Sequence, residues 1–199
     1  MGVAARIARE FRFLRGLGRT LWAVRKIKPD SDVLMCDDFE IAVDRFADHT
    51  ALIFEGERYT YRQLDALANR FAAWADEQGV QRGDTVALLL PNRAEYIPAW
   101  AGLGKIGAAA ALINNNLTGA ALAHCLSISG ASHVITDTET LQSVDTIRAG
   151  LARPVTYWVI DAQSDISPDR RALDLKDPKL APERPSRERR AGITASDVA

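Results

Sequence analysis

Four short apolar runs alternate with segments of helical periodicity between residues 85 and 160, and this alternation constrains the fold most strongly. The first run, at 85–90, is rich in Val, Ala and Leu without polar alternation, which is typical of a strand buried on both faces. The other runs lie at 108–113, 133–136 and 155–160. Strands separated by helices pair in parallel through right-handed crossovers. The sequence therefore predicts a doubly wound, mainly parallel α/β sheet with flanking helices.

Residues 38–79 predict two helices and a hairpin ahead of this sheet. The first short helix covers 38–47, and a hairpin turns at residues 55–57. Thr60 and Gln63 form a capping box that opens the second helix. Its apolar face comprises Leu64, Leu67, Ala68, Phe71 and Trp74, and it ends at Gly79.

Two further caps and one glycine pair are predicted inside the α/β region. Asn92 with Glu95 caps the helix after the first buried strand, and Thr118 caps the next one, to residue 129. A last helix is predicted near 138–149. Gly102 and Gly104 lie within a helix, ahead of a strand, which is the wrong order for a dinucleotide loop. They favour close packing of that helix on the sheet instead.

The sequence predicts a basic amphipathic segment over residues 1–29. Its helix covers about residues 3–24, and Pro29 closes the segment. Between positions 1 and 28 there are eight basic residues and one acid, whereas 30–48 holds seven acids and one base. A helix with an apolar stripe and a basic polar face is typical of one that lies on an anionic membrane. Docking on the domain itself or an organelle transit peptide are the alternatives. The stripe consists of Val3, Ile7, Phe11, Leu14, Leu21 and Trp22.

After residue 160 the periodicity ends. Four of the 8 prolines and a charged run at 187–190 lie in this last part. The pattern predicts an extended surface segment or an untethered tail over 161–199. The domain organisation is then 1–29 helix, 30–160 α/β region and 161–199 extended segment.

Composition excludes several classes of site. The net charge of −1 gives no reason to expect nucleic acid as a partner, and no apolar run is long enough to span a membrane.

The cysteines, Cys36 and Cys125, show no zinc or disulfide spacing, which favours a cytoplasmic setting. His124 and Cys125 are adjacent on a helix and so point about 100° apart, which disfavours a catalytic pair. The pairs Asp37-Asp38 and Glu55/Glu57 are predicted to be solvated turn residues.

Three amides follow the second buried strand, at Asn114, Asn115 and Asn116. Ligands gather at the carboxyl ends of strands in open α/β sheets. Amides in this place either bind a ligand or support the next helix, and the residues alone favour the structural role.

Several stretches in the same order resemble the adenylate-forming enzymes. The stretch at 50–65 resembles their hairpin followed by a Thr-Tyr-x-x-Leu helix start, and 79–87 resembles G-V-x-x-G-D-x-V-A. Residues 91–96 are similar to P-N-x-x-E-[YF], and 104–108 to K-x-G-A. The Ile-Asn-Asn-Asn-Leu run at 113–117 resembles the I-N-x-N-L of fatty acid transport proteins and very-long-chain acyl-CoA synthetases. The resemblance covers about residues 38–160.

This resemblance implies the N-terminal portion of a ligase that activates long-chain or very-long-chain fatty acids. A fatty acid carboxylate attacks the α-phosphate of ATP with Mg²⁺ present, and CoA then captures the acyl-adenylate. The stretch 192–199 looks like the lead-in to the family's phosphate loop, and that loop is not in the sequence. We therefore expect an incomplete domain with no catalytic residue and no bound cofactor. Its expected partners are a fatty acid substrate, the membrane surface through the N-terminal helix, and the missing C-terminal remainder of the same protein.

The resemblance also gives the helix and the amides specific roles. A membrane-bound position suits an enzyme whose substrate partitions into lipid, so peripheral membrane association is expected. The membrane-binding residues are predicted to be Phe11, Arg12, Leu14, Arg15, Arg19, Leu21 and Trp22. Asn115 and Asn116 are predicted to contact substrate, in the acyl or CoA channel. A stand-alone lipid-binding module and a ligase for aryl or amino acids remain the alternatives.

Overall fold

Helices and strands alternate along most of the chain in the computed structural model, which describes residues 3–25, 28, 30–147, 150–151, 153–180, 183–194 and 196–197. The helices are α1 (Val3–Val24), α2 (Met35–Phe46), α3 (Tyr61–Glu77), α4 (Tyr96–Lys105), α5 (Gly119–Ser129) and α6 (Leu141–Asp145). The strands are β1 (Thr50–Phe54), β2 (Glu57–Thr60), β3 (Thr85–Leu89), β4 (Ala109–Leu112), β5 (His133–Thr136), β6 (Thr156–Val159) and β7 (Arg170–Ala172). A 3-10 helix spans Arg187–Arg190. The predicted helix over about residues 3–24 is confirmed as α1. Helix α6 covers only the middle of the predicted helix at 138–149, whose last two residues lie outside the described residues.

A five-stranded parallel sheet forms the centre of the fold, in the order β4-β3-β5-β6-β7. Strands β1 and β2 form a separate antiparallel hairpin. The predicted parallel α/β sheet is confirmed, and its four predicted strands are β3 to β6.

Both faces of this sheet are covered, and alternate residues of β3 enter two different cores. Val86 and Leu88 belong to a core with α3 and α4, while Ala87 and Leu89 belong to a core with α5 and α6. All four side chains are completely buried. This explains the absence of polar alternation in the strand, since neither of its faces meets water.

The helix starts show where local sequence signals hold and where they fail. Thr60 Oγ1 accepts a hydrogen bond from the Gln63 amide at 3.2 Å, and Gln63 Oε1 accepts one from the Thr60 amide at 2.8 Å, so the predicted capping box is confirmed. The predicted cap by Asn92 and Glu95 is wrong. Helix α4 begins only at Tyr96, and the Glu95 carboxylate accepts from Arg93 Nε at 2.9 Å instead of capping. The hydrogen bond between the charged side chains of Arg93 and Glu95 is stronger than a bond from an uncharged backbone amide to a capping side chain. Thr118 does occupy the N-cap position of α5, but its side chain makes no capping bond.

Gly102 and Gly104 pack α4 against other helices and not against the sheet, which corrects the prediction. A Cβ atom at Gly102 would lie 2.3 Å from the carbonyl oxygen of Ala68 and 2.8 Å from the Cβ of Phe71, both in α3. At Gly104 it would meet Cys36 of α2 at 3.4 Å. The glycines therefore set how closely α3 and α2 approach α4.

The chain after residue 160 returns to the domain. Strand β7 pairs in parallel with β6, and Leu173, Leu175 and Leu180 are buried in the core shared by α3 and α4. Arg70 Nη1 donates to the carbonyl oxygen of Leu175 at 2.8 Å. Among the described residues the segment is thus tied down, which excludes the untethered alternative. The boundary at 160/161 stays a prediction, although β7 extends the sheet beyond it.

The final stretch, residues 183–194, is called the C-terminal strap here because it crosses the helices of one sheet face. Its ion pairs reach residues in α2 and α3, through Arg184, Arg187, Arg189 and Arg190. Ile193 at its end is buried. The charged run at 187–190, which the sequence alone predicts to lie on the surface, therefore also makes contacts inside the fold.

Replacing Gly102 with alanine is expected to destabilise the fold by about 3 kcal/mol or more, because the new methyl group would overlap the backbone of α3. The measurement is a urea unfolding curve followed by circular dichroism. Gly18→Ala in α1 is the matched control, since nothing lies within 4 Å of a Cβ there. Equal unfolding midpoints for the two variants would contradict the close α3–α4 contact.

Candidate functional site

The carboxyl edge of the sheet contains the point where the chain changes direction. From β3 the chain passes to β4 on one side and then crosses to β5 on the other side. The loops that follow β3 and β5 therefore lead to helices on opposite faces of the sheet, and a crevice is expected between them at this edge. In doubly wound sheets this is the usual place for a ligand.

Arg93, in the loop after β3, connects the two sides of this crevice. Its Nε lies 2.9 Å from Glu95 Oε2, and its Nη1 lies 3.5 Å from Asp137 Oδ2 in the loop after β5. Burial lowers the pKa of Arg93, but the hydrogen bond to Glu95 and the nearby carboxylates raise it by more, so the net pKa lies above its ordinary value. The guanidinium therefore remains a cation that holds the two loops together.

Asp137 and Asp161 fix the loop on the far side of the crevice. Asp137 Oδ1 accepts hydrogen bonds from the amide and the hydroxyl of Thr140, at 2.8 and 2.6 Å. Asp161, after β6, accepts from the Thr138 amide at 3.0 Å. These carboxylates are thus engaged within the protein. At this edge of the sheet, the carboxylates of Asp137 and Asp161 hold the loops in place and are not free acid–base groups.

The three asparagines lie at the same edge, in the loop after β4. Asn114 Oδ1 accepts from the Asn116 amide at 3.0 Å and from its side-chain nitrogen at 3.3 Å, which forms a local Asx turn. Asn116 is exposed and Asn115 is half-buried. The asparagines do not cap α5. The predicted substrate contact of Asn115 and Asn116 stays a prediction.

Helix α1 presents its predicted membrane-binding residues to solvent. The four apolar side chains are all well exposed, at 69% for Phe11, 61% for Leu14, 59% for Leu21 and 57% for Trp22. Arg12, Arg15 and Arg19 are exposed as well. The side chains of Val3 and Ile7 lie outside the described residues. None of the described helices combines the length and apolar character that a bilayer-spanning segment needs.

The residue pairs that the sequence disfavoured as catalytic, His124 with Cys125 and Asp37 with Asp38, have other surroundings in the structure. His124 is exposed and Cys125 is half-buried on α5. Asp37 is not a solvated turn residue, because it lies in the first turn of α2 and accepts from Arg190 Nη2 at 2.7 Å. Within the described part of the chain, no three His, Cys, Asp or Glu side chains are grouped so that they could hold a metal ion.

Sequence reasoning missed the most deeply buried charges, which surround Lys105 at the end of α4. Its side chain is completely buried, and Nζ lies 2.5 Å from Asp65 Oδ1, 2.6 Å from Asn69 Oδ1 and 3.8 Å from Glu40 Oε1. Burial lowers the pKa of Lys105, and the hydrogen bond to Asp65 opposes that shift. The available signal was a lysine followed directly by the apolar run at 106–113.

Arginines of the C-terminal strap complete this group, which we call the buried ionic cluster. Arg190 Nη2 lies 2.6 Å from Glu40 Oε2, and its side chain is only 3% exposed. Arg184 Nη2 lies 3.3 Å from Asp65 Oδ2. Burial lowers the pKa of Arg190, but Asp37 and Glu40 raise it by more, so the net pKa lies above its ordinary value. The cluster comprises Asp37, Glu40, Asp65, Asn69, Lys105, Arg184, Arg187 and Arg190.

Lys105→Ala is expected to lower the free energy of unfolding by about 3–5 kcal/mol, because Asp65 and Glu40 would lose a buried cation. Urea unfolding of the purified chain measures the change. Arg62→Ala serves as the control, since its ion pair with Asp48 lies in solvent and should contribute little. Unchanged unfolding of the Lys105 variant would show that the cluster does not hold the helices together.

Comparison with known proteins identifies a matching family and several similar sequences. A family model described as AMP-binding enzyme matches residues 39–196. The chain is 35% identical over 150 residues to human long-chain fatty acid transport protein 1, a match that covers 72% of this chain and 23% of the relative. The chain spans about a fifth of the length of the curated relatives it matches.

Two solved structures resemble the fold. A fatty acyl CoA synthetase from Mycobacterium tuberculosis is 30% identical with a TM-score of 0.61, and the match covers 74% of this chain and 28% of that one. The anthranilate CoA ligase AuaEII in complex with anthranoyl-AMP is 28% identical with a TM-score of 0.61, over 67% of this chain and 27% of that one.

Proposed function

Because the chain belongs to the AMP-binding enzymes, we propose that it forms the N-terminal part of a ligase for long-chain or very-long-chain fatty acids. The proposed reaction uses ATP to form an acyl-AMP and then CoA to form the acyl-CoA. The observation that carries this proposal is the similarity to a fatty acid transport protein over 72% of this chain. The Ile-Asn-Asn-Asn-Leu run at 113–117 supports the same subfamily.

The proposed chemistry has two balanced steps. A fatty acid carboxylate oxygen attacks the α-phosphorus of ATP, so that a mixed anhydride forms and pyrophosphate leaves. The thiol sulfur of CoA then attacks the acyl carbon, and AMP leaves as the thioester forms. Both steps need donors arranged around the developing negative charge. Mg²⁺ would screen the phosphates, but the described residues hold no group of metal ligands, so no residue is assigned to it.

In this proposal the present chain supplies the scaffold for those steps. Arg93 and Asp137 keep the loops after β3 and β5 in place at the crevice, and the amides of Asn115 and Asn116 lie at the same edge. A ligase for aryl acids is the second candidate within the family, favoured by the likeness to the anthranilate CoA ligase. The fatty acid proposal is preferred because a relative that matches 72% of this chain is a fatty acid transport protein.

The native protein provides the test. Antibodies raised against this chain would recover the natural product, whose mass is expected to be several times 21.8 kDa. The purified product should exchange pyrophosphate into ATP when a long-chain fatty acid is present, and anthranilate should not replace the fatty acid. A native product of 21.8 kDa that shows no exchange would overturn the ligase proposal and favour a stand-alone lipid-binding module.

We further infer that the protein is cytoplasmic and that α1 holds it on an anionic membrane surface. Phe11, Leu14, Leu21 and Trp22 lie on one side of the helix, and Arg12, Arg15 and Arg19 lie beside them. All these side chains are exposed to solvent. An amphipathic helix of this kind gains free energy from apolar burial and from attraction to anionic lipids.

Sedimentation with vesicles rich in phosphatidylserine tests this membrane contact. Phe11→Ser is expected to weaken binding about tenfold, which corresponds to the loss of one buried aromatic side chain. The triple variant Arg12→Gln, Arg15→Gln and Arg19→Gln should weaken binding about 100-fold.

Phe13→Ser is the matched control for the apolar contact. Phe13 is also exposed, at 63%, but it lies about 200° from Phe11 around the helix axis. Equal losses for the Phe11 and Phe13 variants, or equal binding to neutral vesicles, would contradict the proposed orientation.

A further inference from the structure

His133, Trp74 and Trp158 form an aromatic group near the amino edge of the sheet, away from the crevice at the carboxyl edge. The ring centroids of Trp74 and Trp158 lie 5.2 Å apart, and the His133 ring lies 6.3 Å from the first and 6.2 Å from the second. The three residues belong to α3, β5 and β6. Both tryptophans are buried, and His133 is half-buried. His133 is therefore a titratable group set against an apolar core and outside the candidate site.

One hydrogen bond requires His133 to be neutral. Nε1 of Trp158 donates to Nδ1 of His133 at 3.1 Å. An indole nitrogen can only donate, so Nδ1 keeps its lone pair and the proton of the neutral ring lies on Nε2. The indole nitrogen of Trp74 is buried too, and it has no hydrogen-bond partner among the described residues. Protonation of His133 would thus remove an acceptor from a group that already has more buried donors than acceptors.

Two charged side chains act on the His133 ring, whereas α3 and β6 present the two tryptophans to it. The guanidinium of Arg171 in β7 stands over the Trp158 ring, 5.6 Å from its centroid. Asp84 lies directly before β3. Burial lowers the pKa of His133, the carboxylate of Asp84 opposes this shift, and Arg171 adds to it, so the net pKa lies below its ordinary value.

Trp158 connects this ring to residues 170–180, which we call the return segment. In the ladder between β6 and β7, Trp158 is paired with Arg171. The Leu173 amide donates to a carbonyl oxygen of β6 at 2.9 Å. The core that contains Trp158 also contains three leucines of the return segment, Leu173, Leu175 and Leu180. Displacement of the Trp158 indole therefore weakens the packing of this segment.

We propose that His133 is a pH-sensitive latch whose protonation frees β7 from the sheet. The neutral ring accepts the bond from Trp158 and holds the indole in place. The imidazolium ring carries a proton on both nitrogens, so it cannot accept this bond, and its charge repels the guanidinium of Arg171. Arg70 donates to the carbonyl oxygens of Leu175 and Asp177 and stays charged, so the far part of the return segment remains attached.

The direction of the pH effect follows from the pKa of His133 in the closed and opened states. In the opened state the ring meets water and regains a pKa near ~6.5, above its value in the closed state. The closed state therefore has its full stability above about pH 6.5 and loses stability as the pH falls from there towards the lower pKa. For uptake of one proton, the opening equilibrium changes by at most about tenfold per pH unit.

Amide hydrogen exchange of the whole 199-residue chain between about pH 7.5 and pH 5 tests the latch. The protection factor of the Leu173 amide is expected to fall below about pH 6.5, and those of the central strand β3 should change much less. In His133→Gln the Leu173 protection should stay constant, because the glutamine oxygen can accept from Trp158 at either pH. His124→Gln, on the exposed side of α5, is the matched control and should keep the parent behaviour.

NMR titration of the His133 imidazole tests the same contacts without relying on the motion of β7. The indole N–H resonance of Trp158 should shift with the same midpoint as the imidazole. Arg171→Gln should raise that midpoint because it removes a nearby cation, whereas Arg58→Gln in the exposed β1–β2 hairpin should not. Trp158→Phe should also raise it, since the bond to the neutral ring is lost, and this variant keeps the test valid if His133→Gln does not fold.

Three results would overturn the inference. The first is an imidazole of His133 that titrates at or above about pH 6.5 in the parent chain. The second is the same acid-induced loss of Leu173 protection in the parent chain and in His133→Gln. The third is an equal loss of protection in β3 and β7, which would show that acid unfolds the whole chain instead of opening it at β7.

Discussion

The buried ammonium group of Lys105 is the interaction on which the packing of the helices depends. It lies at the end of α4 and joins Asp65 and Asn69 of α3 to Glu40 of α2, without any exposure to water. A buried ion pair contributes little net stability compared with apolar residues of the same shape, but loss of one partner is costly. The cluster therefore fixes one arrangement of three helices rather than simply adding stability.

Most of the parallel sheet could be predicted from sequence because its signal is local. Strand β3 carries apolar side chains towards both cores, and the capping box of Thr60 and Gln63 needs only four consecutive residues. Strand β7 was missed because Arg170 and Arg171 occupy an edge strand, where charged side chains are tolerated and no apolar pattern is required. The predicted start of α4 was wrong because the Glu95 carboxylate bonds to Arg93 instead of capping the helix. The spacing of residues in the sequence does not show which of these two partners a carboxylate will take.

The candidate site was predictable only in its position along the chain. The asparagines at 114–116 were identified from their place after a strand, whereas the bridge from Arg93 to Asp137 joins residues that are far apart in sequence. The exposed stripe of α1 followed from helical periodicity, but the hydrogen bond between Trp158 and His133 depends on how β5 and β6 pair. Local sequence carries little signal for that pairing, since it joins residues far apart in the chain.

The pairing of Glu40 with Arg190 has a consequence for synthesis on the ribosome. The two residues are 150 positions apart, so the carboxylate emerges about 8–30 s before its guanidinium partner. During that interval Lys105 becomes the only cation of the cluster that has left the ribosome, and the neighbouring carboxylates remain incompletely neutralised. Helices α2, α3 and α4 can collapse together early, but their final arrangement must wait for the strap. The order of translation therefore makes closure of the strap a late step in the folding of this chain.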